Sequence, residues 1–332
     1  MSDQVVLSGD ALRVTINPLV GGTITAIEHV GLGASVLGTV PWEADMAPLA
    51  PAIALDEATW LTRYSGGWPL LFPNGGDACR FAGTDHGFHG EASIALWEAE
   101  ADATTVRLAR RFATAPVEMR RELSIAGELL TVRETLRMLG SAPIRVMWGH
   151  HPTFGSDLLA GAFEVQSGAR AVTVDDRYDP AGNPLHPGAS GRWPTVSGKS
   201  APVDLSRPAG TLSALSYLHD LASPWASIRR LDGTVGVALS WDAGLFPCAW
   251  LWYELGGSHE PPWLGQARLI GIEPNTTWPG AGLAEADRRG ARLLTLQPDA
   301  EIATTVRLHV FKPAGPINGV DANGLAVSRS PA

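Results

Sequence analysis

The stretch LLTVRETLRML, residues 129–139, decides the fold. Leu130, Val132, Leu136 and Met138 share one parity, while Thr131, Arg133, Thr135 and Arg137 share the other. Successive side chains of a strand point to opposite faces, so apolar residues at every second position mark a half-buried β-strand. Glu134 is the oddity, a carboxylate on the apolar parity. The same period recurs in TTVRLARRF (residues 104–112, with Val106, Leu108 and Phe112 on one side) and in TTVRLHVF (residues 304–311, with Val306, Leu308 and Val310). SIALWEAE, RELSIAG, IRVMWG, FEVQS, AVTVDD, CAWLWYEL and ARLIGIE read as further strands. Asp232-Gly233, between the apolar runs of WASIRRLDGTVGVALSWD, is a strong short hairpin signal. Strand follows strand at roughly ten-residue spacing, which points to an antiparallel sandwich or barrel.

With 332 residues the chain exceeds what one ordinary core usually holds, but all-β sandwiches run long as single domains. The expectation is one all-β domain, a large antiparallel β-sandwich over residues 1–315, followed by a small-residue polar tail, 316–332, that frays. GLAEADRRGARLL suits a short helix or a loop, and the Pro/Gly-rich residues 179–210 read as a long, lid-like surface excursion.

The net charge of −9, without clusters of Lys and Arg, argues against nucleic acid or an anionic membrane as a partner. Two isolated cysteines, Cys79 and Cys248, without zinc spacing suit a reduced, cytoplasmic protein. The start MSDQVVLSGDALRV lacks the basic and apolar regions of a signal peptide, and no apolar run reaches transmembrane length. Twelve tryptophans are expected to be mostly core, with a few serving as flat platforms such as a sugar ring stacks on; Trp68, Trp148 and Trp278 lie nearest the motifs.

Those motifs begin with ARLIGIEPNTTWPG, residues 267–280, where Glu273 closes an apolar strand. A carboxylate there costs several kcal/mol unless something offsets it. Four of nine histidines fall in two clusters: His86 and His89 in GTDHGFHGEASIALWE, with Glu91, and His150 and His151 in VMWGHHPTFG. Three chemistries fit. A metal could be held by His86, His89 and Glu91 with a histidine of the second cluster, although the spacing is no recognised zinc pattern. Nucleophilic catalysis has little support, since GxSxG is absent and neither cysteine neighbours a histidine. General acid–base catalysis needs one carboxylate and one imidazole and no cofactor, and Glu273 with a histidine from each cluster supplies the parts.

Taken in order, DHGFHGEASIALWE, GHHPTFG, LIGIEPNTTWP and LTLQPDAEIATTVRLHVF resemble the HGF, NHPYF, catalytic-glutamate and closing-strand segments of the aldose 1-epimerase (galactose mutarotase) family. The resemblance implies a large antiparallel β-sandwich and a cofactor-free, metal-free enzyme, monomeric or homodimeric, that interconverts the α and β anomers of a free sugar. It makes Glu273 the general base and His151, before Pro152, the general acid. It makes His86, Arg80, Asp220, His150 and Trp278 candidates for holding the sugar. Gly149 and His150 stand where the family has asparagine, and His89-Gly90 where it often has Ala-Arg, which points to a divergent branch. A sugar-binding module without turnover and a metal-dependent sugar isomerase are the alternatives.

Overall fold

The computed structural model describes residues 4–47, 49, 53 and 56–328. The strand read first occupies Leu129–Met138 and pairs along its whole length with Val117–Ala126, from Val117 opposite Met138 to Ala126 opposite Leu129. Its apolar parity is buried, as the period requires, and Glu134 is buried with it, directly opposite Arg121. Asp232-Gly233 closes the expected hairpin between Ser213–Arg230 and Gly236–Ser240, with Gly233 in the left-handed region at φ 73°.

Among the described residues, fourteen strands form one large antiparallel sheet. It runs from Leu70–Leu71 through Gly149–His150, Arg268–Asn275, Cys248–Leu255, Ser213–Arg230, Gly236–Ser240 and Glu301–Phe311 to Leu129–Met138, and on to Glu98–Ala101 at the far edge. A second sheet of four strands, Val5–Ser8, Leu12–Asn17, Thr23–His29 and Ala34–Ser35, packs against it. Leu7, Val14, Ile16 and Ile27 of the small sheet share one apolar core with Leu123, Val132, Val306 and Ile272 of the large one. The fold is therefore the all-β antiparallel sandwich that alternation implied.

Three local expectations meet structure of a different or more definite kind. The tail does not fray where it is described. Ile317–Val320 and Ala326–Ser328 form a hairpin, because Ile317 is apolar enough to bury against Trp225 and Phe311 and the Ala326 N–H donates to His309 Nδ1; residues 329–332 lie outside the described residues. Residues 179–210 are no free lid, since Leu185, Val196 and Leu205 bury in the main core and Ser190–Arg192 pairs with Phe163–Val174. GLAEADRRGARLL forms a helix over Leu283–Arg288. The cysteines are free thiols, Cys79 half-buried and Cys248 buried, and no helix among the described residues is long and apolar enough to cross a membrane.

Candidate active site

Strand alternation builds the site. In Arg268–Asn275, Ile270 and Ile272 face the main core, which turns Gly271 and Glu273 to the other face. Gly149 pairs with Asn275 and Thr153 with Gly271, so continuing that register sets His151 opposite Glu273. Pro152 removes one ladder donor but its carbonyl still accepts the Ile272 N–H at 3.2 Å, while the His151 N–H faces the other neighbouring segment and bonds to the Pro69 carbonyl. His151 Nε2 lies 3.6 Å from Glu273 Oε1. Gly271 leaves the room this needs: a Cβ at that position would overlap Glu273 Oε1.

Both groups line a cavity of about 290 Å³, near the low end of ligand pockets, about 300–1,000 Å³. Its walls are largely aromatic: Trp60, Tyr64, Trp250, Trp252 and Trp263, with Phe88. Trp60 stacks on Tyr64 at 4.5 Å between ring centres, and Trp252 meets the His151 ring at 6.0 Å. Loops bring the rest. His89, in a left-handed turn at φ 57°, accepts the Gly76 N–H on Nδ1, and its ring centre is 5.4 Å from that of His151. Gly76 in turn touches the 280 loop so closely that a Cβ would overlap the Gly280 carbonyl. At the mouth, Arg177 pairs with Asp77 at 2.7 Å, and buried Asp175 accepts the backbone N–H groups of Arg177 and Tyr178 and the Tyr217 hydroxyl.

Burial sets the electrostatics. It pushes the Glu273 carboxyl well above the usual carboxylate range and holds His151 down to about 4. Glu273 Oε2 has no hydrogen-bond partner. Desolvation thus favours the uncharged form of both groups, the carboxyl and the imidazole alike. His89 is held well below the usual imidazole range, first by burial and then by His151.

None of the five expected sugar-holding residues lines this cavity. His150 is fully buried on the opposite face from His151, within reach of Glu134 in the core, since neighbouring strand residues point opposite ways. His86 sits in the small hairpin Cys79–Phe81/Thr84–His86, while the turn after it carries His89 round to the cavity. Arg80 is exposed and paired with Asp85 at 2.8 Å. Asp220 lies at a bend of the long strand Ser213–Arg230, at φ 50°, exposed and 3.5 Å from Arg170. Trp278 stacks on His219 at 4.6 Å. Of the expected platforms, Trp68 and Trp148 are core residues that donate to His150 and Glu134. Glu91 is occupied by Arg110, Thr114 and the Ala113 N–H, and among the described residues no three His, Cys, Asp or Glu side chains converge as a metal site would require. Arg80→Ala and Asp220→Ala should leave any rate measured on this cavity within about twofold, as surface changes away from a site do; a larger loss in either variant would return that residue to the site.

No family model matches the sequence, and no curated protein matches it. Solved structures do match in fold. A candidate aldose 1-epimerase from Escherichia coli K12 superposes with TM-score 0.67 at 14% identity, over 93% of this chain and 99% of that one. Another from Klebsiella pneumoniae gives 0.66 at 18%, over 91% and 77%. A galactose mutarotase-like protein from Lactobacillus casei gives 0.61 at 16%, over 93% and 100%. The chain has the galactose mutarotase-like fold.

Proposed function

We propose that the protein is an aldose 1-epimerase-like enzyme that interconverts the α and β anomers of a free sugar, without a cofactor. One observation carries this reading: a buried carboxylate and a buried imidazole, 3.6 Å apart, face one aromatic-walled cavity. The hydroxyl oxygen and the ring oxygen that must exchange protons are attached to the same anomeric carbon. Acid and base must therefore stand side by side, as Glu273 and His151 do.

Glu273 takes the proton from the anomeric hydroxyl, and the electron pair left on that oxygen closes a C=O bond. The bond from the anomeric carbon to the ring oxygen breaks, and His151 delivers its Nε2 proton to the ring oxygen. Rotation about the C1–C2 bond turns the other aldehyde face toward the ring oxygen. The reverse transfers then reclose the ring and restore the pair. The chemistry requires one proton shared by the two groups, and moving it from carboxyl to Nε2 makes the base and the acid together. The aromatic walls offer flat apolar faces to the ring, while Asp175 and His89 offer polar atoms to its hydroxyls.

The test follows a freshly dissolved single anomer by NMR or polarimetry, over a panel of hexoses, pentoses and sugar phosphates. Acceleration for at least one free sugar is the expected result; none across the panel would refute the proposal. The rate should be bell-shaped in pH. Below about 4, where His151 also takes up a proton, the pair has no base. Above the raised carboxyl value it has no acid. A rate flat across both limbs would separate the reaction from this pair.

A further inference from the structure

Behind His151 lies a chain of hydroxyls that the acid–base reading does not itself require. Thr153 Oγ1 is 3.0 Å from His151 Nδ1, on the side of the ring away from Glu273. The Tyr64 hydroxyl is 2.7 Å from the same oxygen, and Thr153 Oγ1 also reaches the His151 carbonyl at 3.4 Å. Both residues are held firmly. Thr153 is fully buried, paired with Gly271 on the strand that carries Glu273, and its N–H bonds to the Gly67 carbonyl at 2.8 Å. Tyr64 is buried against Trp60.

The two hydroxyls bring one proton each, and three contacts meet at Thr153 Oγ1. A carbonyl can only accept, so Thr153 donates to His151 O. Tyr64 then donates to Thr153, and the remaining contact is filled when His151 Nδ1–H donates to Thr153. The other arrangement, with Thr153 donating to Nδ1, leaves two oxygen lone pairs facing each other at the carbonyl.

From this geometry we infer that Thr153, oriented by Tyr64, is a positioning residue that keeps a proton on His151 Nδ1 and so makes Nε2 the nitrogen that exchanges protons in the cavity. The arrangement serves the neutral ring and the imidazolium alike, because both carry Nδ1–H. The ring therefore need not flip between the two half-reactions. The inference rests on the acid–base reading of the pair for its consequence in rate, but the tautomer itself is independent of any activity.

The experiment uses nitrogen-15 NMR of histidine-labelled protein at neutral pH, with the His151 signals identified by their loss in His151→Asn. Nδ1 should carry the proton and Nε2 the lone pair in the parent protein. Thr153→Val, which removes the hydroxyl but keeps the shape, should shift the population toward Nε2–H, and Thr153→Ser should restore the parent pattern. If a sugar substrate has been found, Thr153→Val should lower kcat by about tenfold or more with KM within about twofold, and Thr153→Ser should recover most of the loss. Tyr64→Phe should act in the same direction and less strongly. A parent protein with its proton on Nε2 overturns the inference, even should Thr153→Val fail to fold, and so does a folded Thr153→Val with tautomer and kcat unchanged. An absence of activity in every form would count against the proposed function and leave the spectrum to decide the tautomer.

Discussion

Glu273→Gln lowers the rate of anomer interconversion by about 10²–10⁴-fold, the share that a positioned acid–base group supplies. The carboxamide has the shape of the carboxyl and fits the space left by Gly271. It cannot take up the anomeric proton. Sugar binding should change little, because the walls of Trp60, Trp250, Trp252 and Trp263 are untouched; loss of kcat at nearly constant KM is the signature of a group that acts only in the transition state. His151→Asn should cost a similar factor, and the double variant little more than either single, since the two groups share one proton. Stability gives a check on folding. The folded carboxyl sits well above the usual value of 4.5 and the unfolded one does not. As pH rises past 4.5 the unfolded state releases a proton that the folded state keeps, so the parent protein loses stability that Glu273→Gln retains. The variant should therefore melt higher than the parent at neutral pH while being nearly inactive. Equal rates in variant and parent would show that Glu273 is not the base.

How much of this was legible in the sequence depended on the range of the physics involved. Period-two patterning is local, so the strands around Leu130, Val306 and Ile272 and the turn at Asp232-Gly233 could be read directly. Glu273 and His151 were legible for a related reason, as polar residues beside apolar strand text before a proline. Their meeting depends on the pairing of Gly149 with Asn275 and of Thr153 with Gly271, which no stretch of sequence displays. The position before Pro152 singles out His151, but only strand parity shows that its neighbour His150 faces the core and not the cavity. Of the first-cluster histidines it is His89, in the left-handed region at φ 57°, and not His86 that lines the cavity, a placement no stretch of sequence displays. The aromatic walls escaped notice because they come from residues near 60, 88, 250 and 263, assembled by loop contacts such as Gly76 against Gly280. Nothing in the spacing of a tryptophan distinguishes Trp252, at the cavity, from Trp148, in the core.

Glu134 is the oddity in the strand that decides the fold, and loss of its charge should strongly destabilise the protein. The carboxylate has no exposure and receives three contacts: Arg121 Nε at 2.7 Å, Trp148 Nε1 at 3.2 Å and His150 Nε2 at 3.3 Å. Arg121, equally buried, also donates to the Gly22 carbonyl and lies over the Trp97 ring. Burial alone would raise the Glu134 carboxyl; His150 and Arg121 override it and hold the group at about 2. Glu134→Gln removes the charge and leaves the Arg121 guanidinium buried and uncompensated, which should cost about 3–5 kcal/mol at neutral pH. Because the folded value is depressed, the stabilisation is complete above 4.5 and is lost as pH falls from there toward about 2. The stability difference between parent and variant, measured by urea unfolding, should shrink over that interval. Arg121→Met combined with Glu134→Gln should recover much of the loss, since the amide oxygen can still accept from Trp148 and no charge remains stranded. The same double variant should keep a substantial rate on the sugar, because His150 turns this network away from the cavity while His151, one residue on, faces Glu273. If Glu134→Gln proves neutral in stability at pH 7, the ion pair is not what holds the two faces of this strand pair in place, and the apolar parity of Leu130, Val132, Leu136 and Met138 does so alone.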